Sequence, residues 1–278
     1  PSDLVADVLP ADDLGGEPTA DLSSPDDLGG EPTADLSSPD DLGGEPTADL
    51  SSPDGAASDD SSEPIDLSSV CPIQTVRIGD ICMDRWEAPN KPGARPLVMY
   101  SFYEAEAWCK ARGKRLCYDD EWQNACEGPK KWKYPYGDLR EPGRCNDDKT
   151  WLTYSATKLA LWPSKAATSE IETLEELFAK VKATGPNGVT VVNHLEALYQ
   201  AEGNGENPEC VGPSGVEDLV GSVEEWTRRR DGGSGPEFSG NLKGRFWAES
   251  RTCQSSVLVH ANAFRFYEIG FRCCMDRP

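Results

Sequence analysis

YSFYEAEAWCKARGKRLCYDDEWQNACEGP, from Tyr100 to Pro129, reads as two short helices joined by a turn. Ser101 followed three residues later by Glu104 has the pattern of a capping box, in which each end supplies a hydrogen bond to the other's backbone N–H. Ala105, Trp108 and Cys109 then recur at helical spacing, and Gly113 stops the run. The second helix is expected to start at Asp119 or Asp120, to present Trp122, Ala125 and Cys126 on one side, and to end at Gly128 and Pro129. Each helix therefore carries a cysteine on its inward face.

Outward from this stretch, the composition changes sharply at Cys71. Of 49 acidic residues, 19 lie between Pro1 and Val70, where there is no Lys, Arg or aromatic side chain; the remaining 30 stand against all 27 bases. A segment of this kind cannot bury enough apolar surface to offset the entropy of ordering it, so residues 1–70 are expected to be disordered. Within it, DDLGGEPTADLSSP occurs three times unchanged over residues 12–53. Two prolines and a Gly-Gly pair per unit break both helix and strand, which excludes a stacked solenoid and predicts an extended acidic spacer. Calcium binding by the Asp pairs and glycosylation at Thr19, Thr33 or Thr47 are the alternatives, and neither shows its usual pattern.

Residues 71–278 hold all ten cysteines and all eight tryptophans. An even cysteine count without paired CxxC motifs, beside only His194 and His260, favours disulfides over zinc and therefore an oxidising compartment. No apolar run is long enough to span a membrane and no signal peptide precedes Pro1, so export by a signal outside this chain is expected, and a lipid anchor ahead of Pro1 is compatible with it. Strong acidity argues against nucleic acid, and the Arg228–Arg230 run reads as an ordinary solvated strand end.

Between about 149 and 209 the texture is different. Ser169 with Glu172 reads as a cap for Ile171, Leu174, Phe178 and Val181, and a Gly-Pro-Asn-Gly turn leads to Val192, Leu195 and Tyr199. This predicts a helical hairpin inserted into an α+β domain otherwise made of short strands and long loops.

GDICMDRWEAPN (Gly79–Asn90), the Tyr100–Pro129 stretch, YPYGD (Tyr134–Asp138), DLVGSVEEWT (Asp218–Thr227) and GFRC (Gly270–Cys273) stand in one order. Together they resemble the formylglycine-generating-enzyme (sulfatase-modifying-factor) family. The resemblance implies an α+β, C-type-lectin-like fold. It also implies an activity, oxidation of a sulfatase cysteine to formylglycine with molecular oxygen and a copper ion held by two cysteines. Counted from Gly244 in LKGRFWAESRTC (Leu242–Cys253), the second of those positions falls on Cys253 and the first on Ala248. One soft ligand is missing. The resemblance further implies a Cys109–Cys273 disulfide and a partner for Cys126 near Cys253. Cys71 with Cys82, and Cys145 with Cys210 at the base of the insertion, are guessed as local pairs, which leaves Cys117 and Cys274 unassigned.

The same resemblance suggests calcium at Asn146 and Asp148, and at Gly221, Ser222, Val223 and Glu225, where Ser222 stands in place of the family's asparagine. Copper enters only if the oxidase reading holds, with Cys253 its catalytic residue. Trp132, Tyr136, Phe246 and Trp247 lie in loop-like segments and could line a groove for peptide or sugar, although filling a loop-rich core is the favoured reading. Asp119–Glu121 reads as a helix start and Arg272 as structural. The two histidines form no metal pattern, and no serine-nucleophile elbow or nucleotide-binding loop is present. The leading expectation is a non-catalytic binding or structural module for a protein or glycan at the cell surface. The oxidase is the alternative, and a surface filament the weaker one.

Overall fold

The computed structural model describes residues 71–277, so the acidic repeat stretch lies outside the described residues. Ser101 caps α1 (Phe102–Ala111): its hydroxyl accepts from the Glu104 backbone N–H, and the Glu104 carboxylate accepts from the Ser101 N–H at 2.8 Å. Phe102, Ala105, Trp108 and Cys109 form its buried face. Helix α2 (Asp119–Glu127) begins under three acids that complement its N-terminal dipole and buries Trp122, Ala125 and Cys126 before Gly128 ends it.

Among the described residues, seven short strands make two sheets. β1 (Thr75–Ile78), β2 (Ile81–Asp84), β7 (Cys273–Asp276) and β3 (Arg115–Leu116) form an antiparallel sheet in that order. β4 (Glu224–Arg228) pairs antiparallel with β5 (Gly240–Lys243) and parallel with β6 (Ile269–Phe271). Arg272 alone separates β6 from β7, so one chain segment passes from one sheet into the other.

Cys273 and Cys274 are neighbours on β7 and so point to opposite faces. Cys273 bonds to Cys109 in the larger hydrophobic cluster, around Trp108, Trp226 and Phe271; Cys274 bonds to Cys117 in the smaller one, around Trp122. Cys126–Cys253, Cys145–Cys210 and Cys71–Cys82 complete five disulfides, and no cysteine is free.

The insertion contains α3 (Ala156–Leu159), α4 (Leu174–Lys182) and α5 (Pro186–Leu198). Two details differ from the sequence expectation. Thr173, not Ser169, caps α4, because α1 has already claimed the backbone around Ser169. Arg112 donates to the Ser169 carbonyl at 2.9 Å and Trp108 Nε1 to the Ile171 carbonyl at 2.8 Å, so neither can enter a helical ladder. The Gly-Pro-Asn-Gly segment is the first turn of α5 rather than a free turn. Pro186 fits where no N–H is needed, and at Gly188 a Cβ would stand 2.0 Å from the Val181 carbonyl of α4. Leu174, Leu177, Phe178 and Val181 of α4 and Val191, Val192, Leu195 and Leu198 of α5 join the larger cluster, so the hairpin belongs to the core of the domain.

Candidate functional site

Cys253, the candidate copper ligand, is fully buried and bonded to Cys126 of α2. Its backbone N–H donates to the Lys133 carbonyl at 2.7 Å, which fixes the segment against the loop after α2. A sulfur in a disulfide has no thiolate to offer a metal, and Ala248 supplies no sulfur at all. The residues present do not fit a two-cysteine copper centre.

The four candidate groove aromatics do not share one surface, and two of them are core residues. Trp247 is fully buried with Tyr199 at 5.4 Å and Tyr267 at 6.0 Å between ring centroids, and Phe246 is 8% exposed beside it. The physical reason is the insertion, whose α5 ends in Tyr199 and closes over the Phe246–Trp247 turn. Trp132 and Tyr136 stay half-exposed elsewhere. Tyr136 packs against the smaller cluster and stacks on Tyr134 at 5.6 Å, and Lys130 lies over Trp132.

The residues suggested for calcium are brought together only in part. The Asn146 carbonyl accepts from Ser222 N–H at 2.8 Å, and Gly221, at φ +78°, passes so close that a Cβ would lie 2.2 Å from that carbonyl. Val223 is buried in the larger cluster and Asp148 is exposed. Asn146 Nδ2 donates to the Gln200 carbonyl and its Oδ1 has no partner. Glu225 departs most from a metal ligand: both its oxygens accept from Arg272, at 2.7 Å to Nε and 2.8 Å to Nη2. With its carboxylate taken, the Gly221–Glu225 loop does not fit a calcium site. Among the described residues, no group of three His, Cys, Asp or Glu side chains could hold a metal ion.

Asp119–Glu121 serves as a structural anchor at the start of α2: Asp119 Oδ1 accepts from the Arg230 N–H, Arg230 reaches Asp120 and Glu121, and Arg115 makes two bonds to Glu121. His194 accepts from the Ser155 N–H, and His260 stacks on Phe264 at 4.0 Å.

Four buried groups were missed by sequence reading. Glu87 and Asp218 lie beside Arg272, Asn204 Nδ2 donates to the Glu87 carbonyl, and Lys243 lies under α2. None has a local signal, since each is polar only in a motif otherwise explained by turns or strands. Lys243 is 1% exposed, with Gln123 Oε1 at 3.3 Å and Ser256 Oγ at 3.2 Å. Burial lowers its pKa to about 8, against the opposing pull of Asp119 and Glu127. An unfolded lysine binds its proton below 10.5, whereas this one waits until about 8, so stability rises with pH across that window and the cost is fully present below it. Lys243→Met is therefore expected to stabilise the domain at neutral pH by on the order of 1–3 kcal/mol, the gain fading toward pH 10.5. Urea titrations at neutral and alkaline pH check this; a loss of stability at neutral pH contradicts it.

Fold and buried motifs together define a divergent sulfatase-modifying-factor domain. Residues 72–277 match the model of the family described as sulfatase-modifying factor enzyme 1-like domain, and the chain belongs to that family. It is 30% identical over 151 residues to "Inactive C-alpha-formylglycine-generating enzyme 2" of Bos taurus, covering 51% of this chain and 38% of that protein. The Mus musculus protein of the same name is 27% identical over 174 residues, covering 59% and 44%. The chain thus spans less than half the length of these curated relatives. Among solved structures, CarF aligns with a TM-score of 0.43 at 13% identity, covering 70% of this chain and 86% of that one. PvdO from Pseudomonas aeruginosa aligns with a TM-score of 0.41 at 16% identity, covering 70% and 80%.

Proposed function

We propose that this chain is an exported, non-catalytic member of its family, whose domain binds or scaffolds a protein or glycan partner, with the acidic repeat stretch as its spacer from a surface. The observation that carries the reading is the loss of both family copper ligands as thiols: Ala248 has no sulfur, and Cys253 is joined to Cys126. The names of the two mammalian relatives, each called inactive, support it. Five disulfides fit folding in an oxidising, extracytoplasmic compartment, and no helix among the described residues is long and apolar enough to cross a membrane.

The test has two parts. Alkylation of the unreduced, denatured protein followed by intact mass should find no labelled cysteine. Incubation with copper and a peptide carrying Cys-x-Pro-x-Arg should then produce no aldehyde. Labelled Cys253 together with aldehyde formation returns the chain to the oxidase class.

A further inference from the structure

Five side chains from two distant segments form one continuous row of rings. His260 stacks on Phe264 at 4.0 Å and Phe264 on Phe266 at 6.0 Å; Phe266 meets Tyr154 edge-on at 5.1 Å, and Tyr154 meets Trp151 edge-on at 6.2 Å. None of the five is buried: Trp151 is 42% and Tyr154 37% exposed, and the other three are half-exposed. Leu152 beside Trp151, and Leu258 and Val259 just before His260, add exposed aliphatic surface. A contiguous apolar patch with Trp and Tyr at its centre marks an interaction site, because large rigid rings lose little entropy when a partner covers them.

Ring geometry and charge narrow the kind of partner. The two stacked contacts have interplanar angles of 7° and 16°, so these rings turn their faces to one another, and a sugar needs an open ring face. Residues 149–169 carry Lys149, Lys158 and Lys165 and no acid, and residues 250–267 carry Arg251 and Arg265 and no acid, in a chain of net charge −22. The carboxylates that reach these segments are committed: Glu268 accepts from Trp151 Nε1 at 2.9 Å, Glu104 pairs with Arg265, and Glu249 with Arg251. Lys158 and Lys165 are exposed and pair with no carboxylate among the described residues. Lys158 lies in α3, whose capping residue Ser155 follows Tyr154; Lys165 follows Ser164, whose carbonyl accepts from Arg265 at 3.3 Å. The row is an apolar strip with a cationic rim.

We propose, resting on the non-catalytic reading above, that this row docks a protein segment in which Asp or Glu residues are interspersed with large apolar ones. The apolar side chains of the partner cover the rings, and its acids meet Lys158 and Lys165 at the rim. Trp151, Leu152 and Tyr154 come from the insertion, so the hairpin segment supplies half of the surface. The rings lie more than half covered by their neighbours, which suits a segment laid across them better than insertion into a bilayer.

The experiment selects random dodecapeptides displayed on phage against the immobilised full chain, then measures the selected peptides by fluorescence polarisation. A chain of net charge −22 repels acidic peptides in general, so a pool enriched in Asp and Glu beside Phe, Trp or Leu is the expected and diagnostic result. Tyr154→Ala should weaken such a peptide by at least about tenfold, as the loss of a central aromatic anchor does. Lys158→Glu with Lys165→Glu should slow its association and leave its release nearly unchanged. Leu139→Ser, 79% exposed but outside the row, should bind as the parent does, and circular dichroism should show all three variants folded. The proposal is overturned if no peptide is selected, if the pool is basic, or if Tyr154→Ala and the double lysine variant bind the selected peptides as the parent does. It is equally overturned if a glycan array, or vesicles of phosphatidylserine and phosphatidylcholine, bind the parent and not Tyr154→Ala, since the row then serves sugar or lipid. Those failures leave the non-catalytic reading standing; aldehyde formation in the copper assay is what removes it.

Discussion

Arg272→Met is expected to cost about 3–5 kcal/mol, the range for removing one partner of a buried ion pair, and to leave much of the protein unfolded at physiological temperature. Arg272 is fully buried between β6 and β7, where the chain leaves the three-stranded sheet for the four-stranded one. Its guanidinium forks onto Glu225 of β4 and donates to the Arg85 carbonyl at 3.0 Å beyond the end of β2. One side chain therefore ties both sheets to the β2 end. Methionine fills the volume but strands the Glu225 carboxylate, and Glu87 loses the cation that stands 3.9 Å from it. Arg272→Lys should rescue little, because an ammonium cannot fork onto a carboxylate and also reach a backbone carbonyl. Adding Glu225→Gln to Arg272→Met should recover part of the loss, since the stranded charge is then gone. Denaturant titration of the four members of that cycle measures the coupling. A loss under about 1 kcal/mol for Arg272→Met, the scale of an exposed pair, would show that water or a rearranged neighbour already screens Glu225.

The helices α1 and α2 were legible because their signals are local: a Ser-x-x-Glu pair, a three-acid start, apolar residues on one face and a glycine stop. The cap of α4 was not, although Thr173-x-x-Glu176 has the same pattern as Ser169-x-x-Glu172. What chose between them is Arg112, the C-terminal cap of α1, 57 residues away and holding the Ser169 carbonyl. The sheets were illegible for a related reason. Strands of two to five residues carry no usable alternation, and β2 is buried at all four positions. Phe246 and Trp247 looked exposed because their segment is irregular; burial came from Tyr199 at the end of an inserted helix. At the candidate copper locus the reading was chemical rather than geometrical, since an alanine where a ligand is needed is visible without any coordinates. Glu87, Asn204 and Asp218 come from three segments, and nothing in any one of them marks its residue as buried.

Removing Cys109–Cys273 and Cys117–Cys274 together should cost about 1 kcal/mol more than the sum of removing each alone. Each bond spans a long stretch, with sequence separations of 164 and 157 residues. Cys126–Cys253 lies inside both stretches, so the path either bond closes by itself runs through that disulfide and holds about thirty to forty residues, worth about 4 kcal/mol in the loop-entropy account. The two bonds are nearly parallel, however: Cys273 and Cys274 are adjacent, and Cys109 and Cys117 are eight residues apart. While one bond remains, the other closes a ring of only about ten residues, worth about 3 kcal/mol. The first removal, Cys109→Ala with Cys273→Ala or Cys117→Ala with Cys274→Ala, should therefore leave a folded domain with a lowered melting temperature. The second removal opens that path of about thirty to forty residues as well, so the four-alanine protein should lose about 7 kcal/mol in all and unfold at physiological temperature. It also opens a methyl-sized gap on both faces of β7, in the larger cluster beside Trp108 and in the smaller one beside Trp122. Urea titrations of the two paired variants and the four-alanine protein measure the non-additivity. If the four-alanine protein folds with a loss equal to the sum of the other two, the bonds act as independent local contacts and the shared-loop account is wrong.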